Sequence, residues 1–459
     1  MTKLQNLSLF SKNDLYSSRY LLFLETELGK LYQAIPFEEL AKLFPKKKTK
    51  VGAKSWLSPE GMFGLMFLKH YTQLSDRKLI EQLNTNWAMQ YFCNIQLGIN
   101  EMIKDKDLPS RVRGFIANNI EWENIQEVLL KEWKGDIKNQ HIQMNDATVY
   151  ESYAKYPTDV KLLWDSTVWV YETMHALYKR LGLRKPRSKY SEQQVRQMAY
   201  NKKRKKPYKI TKQRKKALLY LLNKGINLLD AGLDLLSDEN ILPEKEALLV
   251  KLQIIKEVYR QQQYMFDNEV NKIKDRIVSL FKPYLRPMVR GKERNKIELG
   301  AKLVIAQVDG INLIDKLSFD PFNEAKELKN INENHEKRFG KLELIGIDRI
   351  YGTNENRKYM SEQGIFSSLV RKGRAAKDEK DKKELRSKLG KERSTVLEGS
   401  FGNEKNHYSL RKVKARNEYT EVIWIFFGIM TANAVKISKR RTLKKLKSGK
   451  EPEQLKIAS

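Results

Sequence analysis

Apolar positions recur at three- and four-residue spacing through most of the first 125 residues. The stretches "RYLLFLETELGKLYQAI", "PFEELAKLF" and "SPEGMFGLMFLKHYTQL" each gather their large apolar side chains on one helical face. Ser58 followed by Pro59 is an N-cap and first-turn pair, and Ser75-Asp76 starts another helix, "DRKLIEQLN", after a very short break. Two helices joined so tightly suit a helix-turn-helix or an ordinary bundle pair. At "HIQMNDATVY" (141–150) the apolar residues alternate with polar ones instead, which predicts a strand ended or interrupted by Asp146. From Val160 to about Lys282 long heptad-like segments return and predict an inserted helical arm, possible as an antiparallel hairpin.

The pattern then shortens again. "IELGAKLVIAQV" and "INLIDKLSF" predict two strands joined at Asp309-Gly310, a dipeptide that favours a tight hairpin turn. A helix "NEAKELKNINENHEKRF" follows, then a strand "KLELIGID" closing on Asp348, a helix "NENRKYMSEQG" and a short strand "IFSSLV". A charged, mobile connection (371–393) leads to a helical finish over 395–437. This order is an α/β unit interrupted after its first strand.

Charge narrows the partners. Lys and Arg number 88 against 56 Asp and Glu, a formal charge of +32, so a polyanion is expected. The longest apolar stretch, Val422 to Met430, is about half the roughly 20 residues a bilayer crossing needs, and no signal or lipidation motif is seen. The expectation is a cytoplasmic protein with no membrane partner. A lone Cys93 excludes an internal disulfide, the five His lack metal-ligand spacing, and no nucleotide fingerprint occurs. The block "YNKKRKKPYKITKQRKK" (200–216), with Lys202, Lys203 and Arg204, suits a DNA backbone or a solvated linker. Arg290 and Lys292 in "RGKERNK" suit a phosphate clamp or the basic mouth of a strand, and the loop "PKKKTKVGAKSW" (45–56) could also meet phosphates.

Three carboxylates stand out against this basic background. Asp146 lies in the first strand, Asp348 ends a central one, and Glu398 opens a late helix in "STVLEGSFGNEKNHYSL". Groups at strand ends of an open α/β sheet gather at one edge. Three oxygen-rich side chains there suit Mg²⁺, and two such ions could drive an in-line phosphodiester displacement. Lys405, seven residues after Glu398, falls on the same helical face and could touch phosphate, while Gly399 and Gly402 let a backbone approach closely. Asp159, Asp165, Asp309, Asp315 and Asp320 compete for the same role, and order and context decide between them.

Taken together, "NDATVYESYAKYPTDVKLL", "RGKERNKIELGAKLVIAQVDG", "GIDRIYGTNENRKYMSEQGI" and "LEGSFGNEKNHYSLRKVKAR" resemble bacterial insertion-sequence transposases of the DDE class, of the broad IS-four and IS-five type. The stretch "LSPEGMFGLMFLKHYTQLSDRKLIEQLNTNWAMQYF" is similar to the helical domain preceding the catalytic domain in those proteins. The resemblance implies an α/β fold: a ribonuclease H-like mixed sheet flanked by helices, with an all-helical N-terminal domain; the long helical insertion after the first strand lies outside the resemblance and differs from family members whose insertion comes later. Expected boundaries are 1–135 for the DNA-binding helices, 136–165 with 285–440 for the catalytic domain, 166–284 for the insertion and 441–459 for a basic tail.

The same resemblance implies Asp146, Asp348 and Glu398 as catalytic acids holding two Mg²⁺ or Mn²⁺ ions, with Lys405, Arg393 and Tyr408 among the DNA contacts. The implied substrates are double-stranded inverted-repeat ends and target DNA, cleaved and joined by a nucleoid-associated homodimer. An inactive DNA-binding relic, or a nuclease that does not join strands, has the same fold. The family signature places an arginine with three residues between it and the glutamate and a tyrosine further upstream; here four residues separate Arg393 from Glu398, and Gly occupies position 390.

Overall fold

The computed structural model describes residues 18–45, 55–98, 100–154, 158–236, 245–289, 297–370 and 379–448. The chain divides into two compact units, one formed by 1–153, 301–318 and 322–459 and the other by 154–300 and 319–321.

The first unit is built on a sheet. Its strands are β1 (Ile142–Glu151), most of β3 (Ile297–Val308), β4 (Ile311–Ser318), β5 (Leu344–Gly346) and β6 (Phe366–Ser367), in spatial order β4-β3-β1-β5-β6. β3 and β4 are antiparallel, whereas β1/β5 and β5/β6 are parallel, so the sheet is mixed. The Asp309-Gly310 turn forms as its dipeptide requires, with both residues in the left-handed region (φ 49° and 76°). β1 departs from simple alternation: most of its positions are buried on both faces, as befits a central strand covered by helices.

β4 lies at the edge, where its outward backbone groups would go unpaired. Two buried amides from helices satisfy them. Gln126 accepts from Ile314 N (2.8 Å) and donates to Ile314 O (3.1 Å). Asn433 accepts from Asn312 N (3.0 Å) and donates to Asn312 O (2.7 Å).

The N-terminal helices pack into the same unit. Helix Pro59–Thr72, capped by the Ser58 side chain, is buried around nearly its whole circumference, and Phe63 and Phe67 meet Phe427 of the closing helix Glu418–Lys447. This helix keeps no free face of its own, whereas the following helix, Asp76–Leu83, buries Leu79, Ile80 and Leu83 and leaves Arg77, Lys78, Glu81 and Gln82 exposed. The closing helix carries an 18-residue stretch apolar enough to cross a bilayer, but 78% of that stretch is buried inside the protein, as in a core helix. It runs on to Lys447, so the first residues of the expected basic tail are helical.

The second unit corrects the expected hairpin. Four helices, Asp159–Arg180, Tyr190–Lys202, Tyr208–Asp234 and Lys245–Asp267, surround a core that includes Val170, Tyr171, Leu222, Leu229 and Ile255. Strand β2 (Pro287–Val289) pairs antiparallel with the opening residues of β3, Ile297–Leu299, which belong to this unit. Of the charged connection, 371–378 lie outside the described residues, while Glu379–Glu392 is a helix with Leu389 near its end buried.

Candidate active site

Register puts two of the acids at matching offsets. In the β1/β5 pair Met144 faces Gly346, the last residue of β5, and each acid lies two residues further on, Asp146 within β1 and Asp348 just past β5. Gly346 is closely approached: a Cβ there would displace the flexible Met144 thioether and would stand 3.1 Å from the Leu389 carbonyl. Asp146 itself sits in the middle of β1 rather than at its end, and its Oδ1 accepts from the Ala147 N–H at 2.8 Å. Asp348 lies just past β5, where its side chain accepts from the Arg349 N–H (2.6 Å) and caps a single 3₁₀ turn.

Glu398 arrives from the helical run that begins at Glu379. This run is continuous, so Glu398 continues a helix and does not open one: five residues, Arg393–Leu397, wind as a π-helix before Glu398–His407 resumes as α-helix. A π-turn closes from i to i+5. The wider turn absorbs the additional residue between Arg393 and Glu398 and keeps the arginine over the glutamate, as an i, i+4 pair would be in an α-helix. Arg393 Nη1 donates to Glu398 Oε1 at 3.1 Å and to Asp146 Oδ2 at 2.7 Å. One guanidinium thus links acids 252 residues apart in the chain, and the side chains of Arg393 and Asp146 are each only 17% exposed.

Burial raises the Asp146 pKa to about 6. Arg393 and the Ala147 N–H oppose that rise, whereas Glu324 and Glu398 add to it.

Lys405 Nζ lies 3.5 Å from Thr148 Oγ1 and over the Tyr150 ring, two positions along β1 from Asp146 on the same face. Beneath it runs a buried polar network. Tyr150 Oη donates to Glu404, which also accepts from Asn312 Nδ2 (2.6 Å), and Asn312 reaches Ser400 Oγ (2.8 Å). Sequence reading overlooked Glu404; its place one residue before Lys405 was the available signal, since a helix face presenting a lysine to the site turns its neighbour inward. Gly399 and Gly402 have open space where a side chain would stand.

The remaining expected DNA contacts are dispersed. Tyr408 is half-buried and its carbonyl accepts from His70 Nδ1 at 3.0 Å. Lys202, Lys203 and Arg204 are exposed in the second unit. Arg290, Lys292 and most of the 45–56 loop lie outside the described residues.

The three carboxylates are the right donors for a hard divalent cation. Their arrangement is not a formed metal site: among the described residues no three Asp, Glu, His or Cys side chains gather closely enough to hold an ion. The Arg393 guanidinium joins Asp146 to Glu398 instead.

A mixed sheet in this order, flanked by helices, is compatible with a ribonuclease H-like DDE domain. Two family models match the chain. "Transposase domain (DUF772)" covers residues 18–114 and "Transposase DDE domain" covers 345–432, a span that includes Asp348, Glu398 and Lys405. Together they support an insertion-sequence DDE transposase, a family resemblance that implies use of a divalent metal. No curated protein and no solved structure matches the chain.

Proposed function

We propose that this transposase binds the terminal inverted repeats of an insertion sequence, of the IS-four or IS-five type, cleaves the DNA and joins its 3′ ends to a target. The observation that carries the reading is the meeting of Asp146 and Glu398 across Arg393, with Asp348 just past the end of the adjoining strand β5. Asp146 and Glu398, so distant in sequence, meet through Arg393, and Lys405 reaches Thr148 two positions further along β1, in a chain whose net charge attracts DNA. Asp146, Asp348 and Glu398 would hold the family's Mg²⁺ or Mn²⁺, as a pair of ions, which supplies an activated attacking oxygen and a stabilised leaving oxygen.

The chain's own groups account for the rest. Arg393 neutralises two carboxylates in the free protein, and an incoming phosphate offers it a charge-assisted alternative partner. That exchange vacates Asp146 and Glu398 as DNA arrives. Lys405, positioned from below by the Glu404 network, supplies a second cation to the scissile strand. Two element ends must be held at once, which calls for a homodimer, and the DNA substrate places the protein in the cytoplasm at the nucleoid.

Linear DNA bearing the element's ends, incubated with and without Mg²⁺, tests the reading. Wild type is expected to nick and join, and Asp348→Ala to do neither; equal activity in both would refute the assigned chemistry. The salt-bridged state of Asp146 and Glu398 favours one competing reading, a DNA-binding protein without catalysis. Binding with neither nicking nor joining by wild type would establish that alternative, and nicking without joining a plain nuclease.

A further inference from the structure

A second feature of the first unit lies outside the carboxylate site. A cavity of about 530 Å³, large enough for a nucleotide-sized group, opens between the end of helix Pro59–Thr72, the start of helix Leu108–Asn119 and the segment 405–416 that leads to the closing helix. Seven basic side chains line it against two acidic ones, Asp76 and Asp107.

Its floor is built, not merely basic. Lys69 and Arg113 are 4% and 3% exposed. Lys69 is fully served, donating to the Leu74 carbonyl at 2.6 Å and pairing with Asp76 at 2.5 Å. Arg113 is not. It reaches the same carboxylate only at 3.7 Å, beyond hydrogen-bond range, and its Nε and Nη2 are buried without a hydrogen-bond partner. The indole of Trp424, 4.4 Å from the guanidinium, fixes Arg113 in place, and Trp424 is itself anchored by donating to the Ser409 carbonyl (3.0 Å).

Two buried cations therefore share one carboxylate, and a planar donor fork is left unsatisfied. Burying such a group is costly unless something binds it. An oxyanion with several acceptors matches the fork's geometry.

We propose that this cavity is a phosphate-binding pocket that seats a phosphate of the DNA substrate. The rim favours a polymer over a free ion. In "RKVKAR" (411–416) Val413 and Ala415 turn inward while Arg411, Lys414 and Arg416 are exposed, so positive charge extends outward from the floor instead of closing round one ion. Lys405 lines the cavity and also reaches Thr148 on the strand of Asp146. A strand held in the pocket is thereby led towards the carboxylates, and such contacts set register without reading bases. The DNA source rests on the transposase reading; the oxyanion chemistry does not.

Binding of the full chain to labelled element-end duplex, without divalent cation and across a salt series, tests the pocket. The exposed double variant Lys414→Ser/Arg416→Ser leaves the core intact. Its affinity is expected to fall on the order of tenfold near physiological salt, and its slope against log salt by about two. Arg113→Gln, checked for folding by circular dichroism, is expected to weaken binding as well. Unchanged affinity and slope in the double variant overturn the proposal. So does calorimetric binding of inorganic phosphate that both substitutions abolish while DNA affinity stays at the wild-type level, because the pocket then serves the free ion. A wild type that binds through the pocket yet never nicks DNA defeats the catalytic reading alone. One that nicks and joins while the double variant binds as tightly as wild type defeats the pocket alone.

Discussion

His70 shows how a single side chain ties pH to the fold. It is 1% exposed, donates to the Tyr408 carbonyl and meets the Trp424 ring edge-on. Burial pulls its pKa down to about 3, helped by Arg113 and Lys69 and opposed by the Tyr408 hydrogen bond. The unfolded chain, with histidine near its ordinary 6.5, takes the proton first, so stability present above that pH is lost as pH falls towards 3. By pH 4.5 this one group should cost about 2.5 kcal/mol. Urea unfolding of wild type is expected to show that loss between pH 7 and 4.5, with a visibly smaller slope in His70→Gln; parallel curves would contradict it. The carboxylates could be singled out as candidates in sequence because an acid in a basic context stands out. Arg113 was not, because in "LPSRVRGFIANN" it reads like any surface arginine and only the packing of Trp424 reveals its burial.

At the scale of elements, helix Pro59–Thr72 depends on two glycines. A Cβ on Gly64 would stand 2.5 Å from the Phe92 carbonyl oxygen, and one on Gly61 would press on the Cys93 carbonyl, both backbone atoms that cannot rotate away. Alanine gains up to about 1 kcal/mol of helix propensity at such positions, but the overpacking costs about 1–3 kcal/mol. Gly61→Ala is therefore expected to lower the melting temperature. Gly114, with open space where its Cβ would be, is the contrasting case: Gly114→Ala should gain about 0.5–1 kcal/mol and raise it. Gly114 belongs to helix Leu108–Asn119; if both substitutions move the midpoint the same way, close packing does not decide the outcome at these glycines.

Elements with a strong local cause were readable in advance. The hairpin followed from Asp-Gly, and the caps at Ser58 and Ser75 followed from their hydroxyls. The π-turn at Arg393–Leu397 was not, since nothing in its local sequence signals it and the Asp146 contact that Arg393 makes there is 247 residues away. Gln126 and Asn433 escaped notice for a related reason: an amide on a helix becomes a strand's partner only after the edge of β4 arrives.

For the whole molecule, the two-unit division sets an expectation about independence. The second unit has its own core of large aliphatic and aromatic residues, and its buried Arg214 is held within the unit by Gln193 and Gln197. Residues 154–300 expressed alone should give a helical protein with a single cooperative thermal transition by circular dichroism; a broad, non-cooperative melt would show that the unit needs the rest of the chain. Heptad-like spacing announced these helices but not their bundle, because periodicity marks an apolar stripe without naming what covers it. The sheet order was likewise beyond sequence, since among the described residues β1 pairs with strands that lie more than a hundred residues later.

That late pairing has a consequence at the ribosome. β1 emerges early, whereas its neighbours β3 and β5 follow only after 154–300 has been made. At about 5–20 residues per second, translation of that stretch lasts on the order of ten seconds or more. A nascent strand meant to be covered on both faces must wait that long with its edges bare, while the intervening helices collapse at once. A chaperone that shelters β1 during this interval would therefore govern how much active enzyme a cell accumulates.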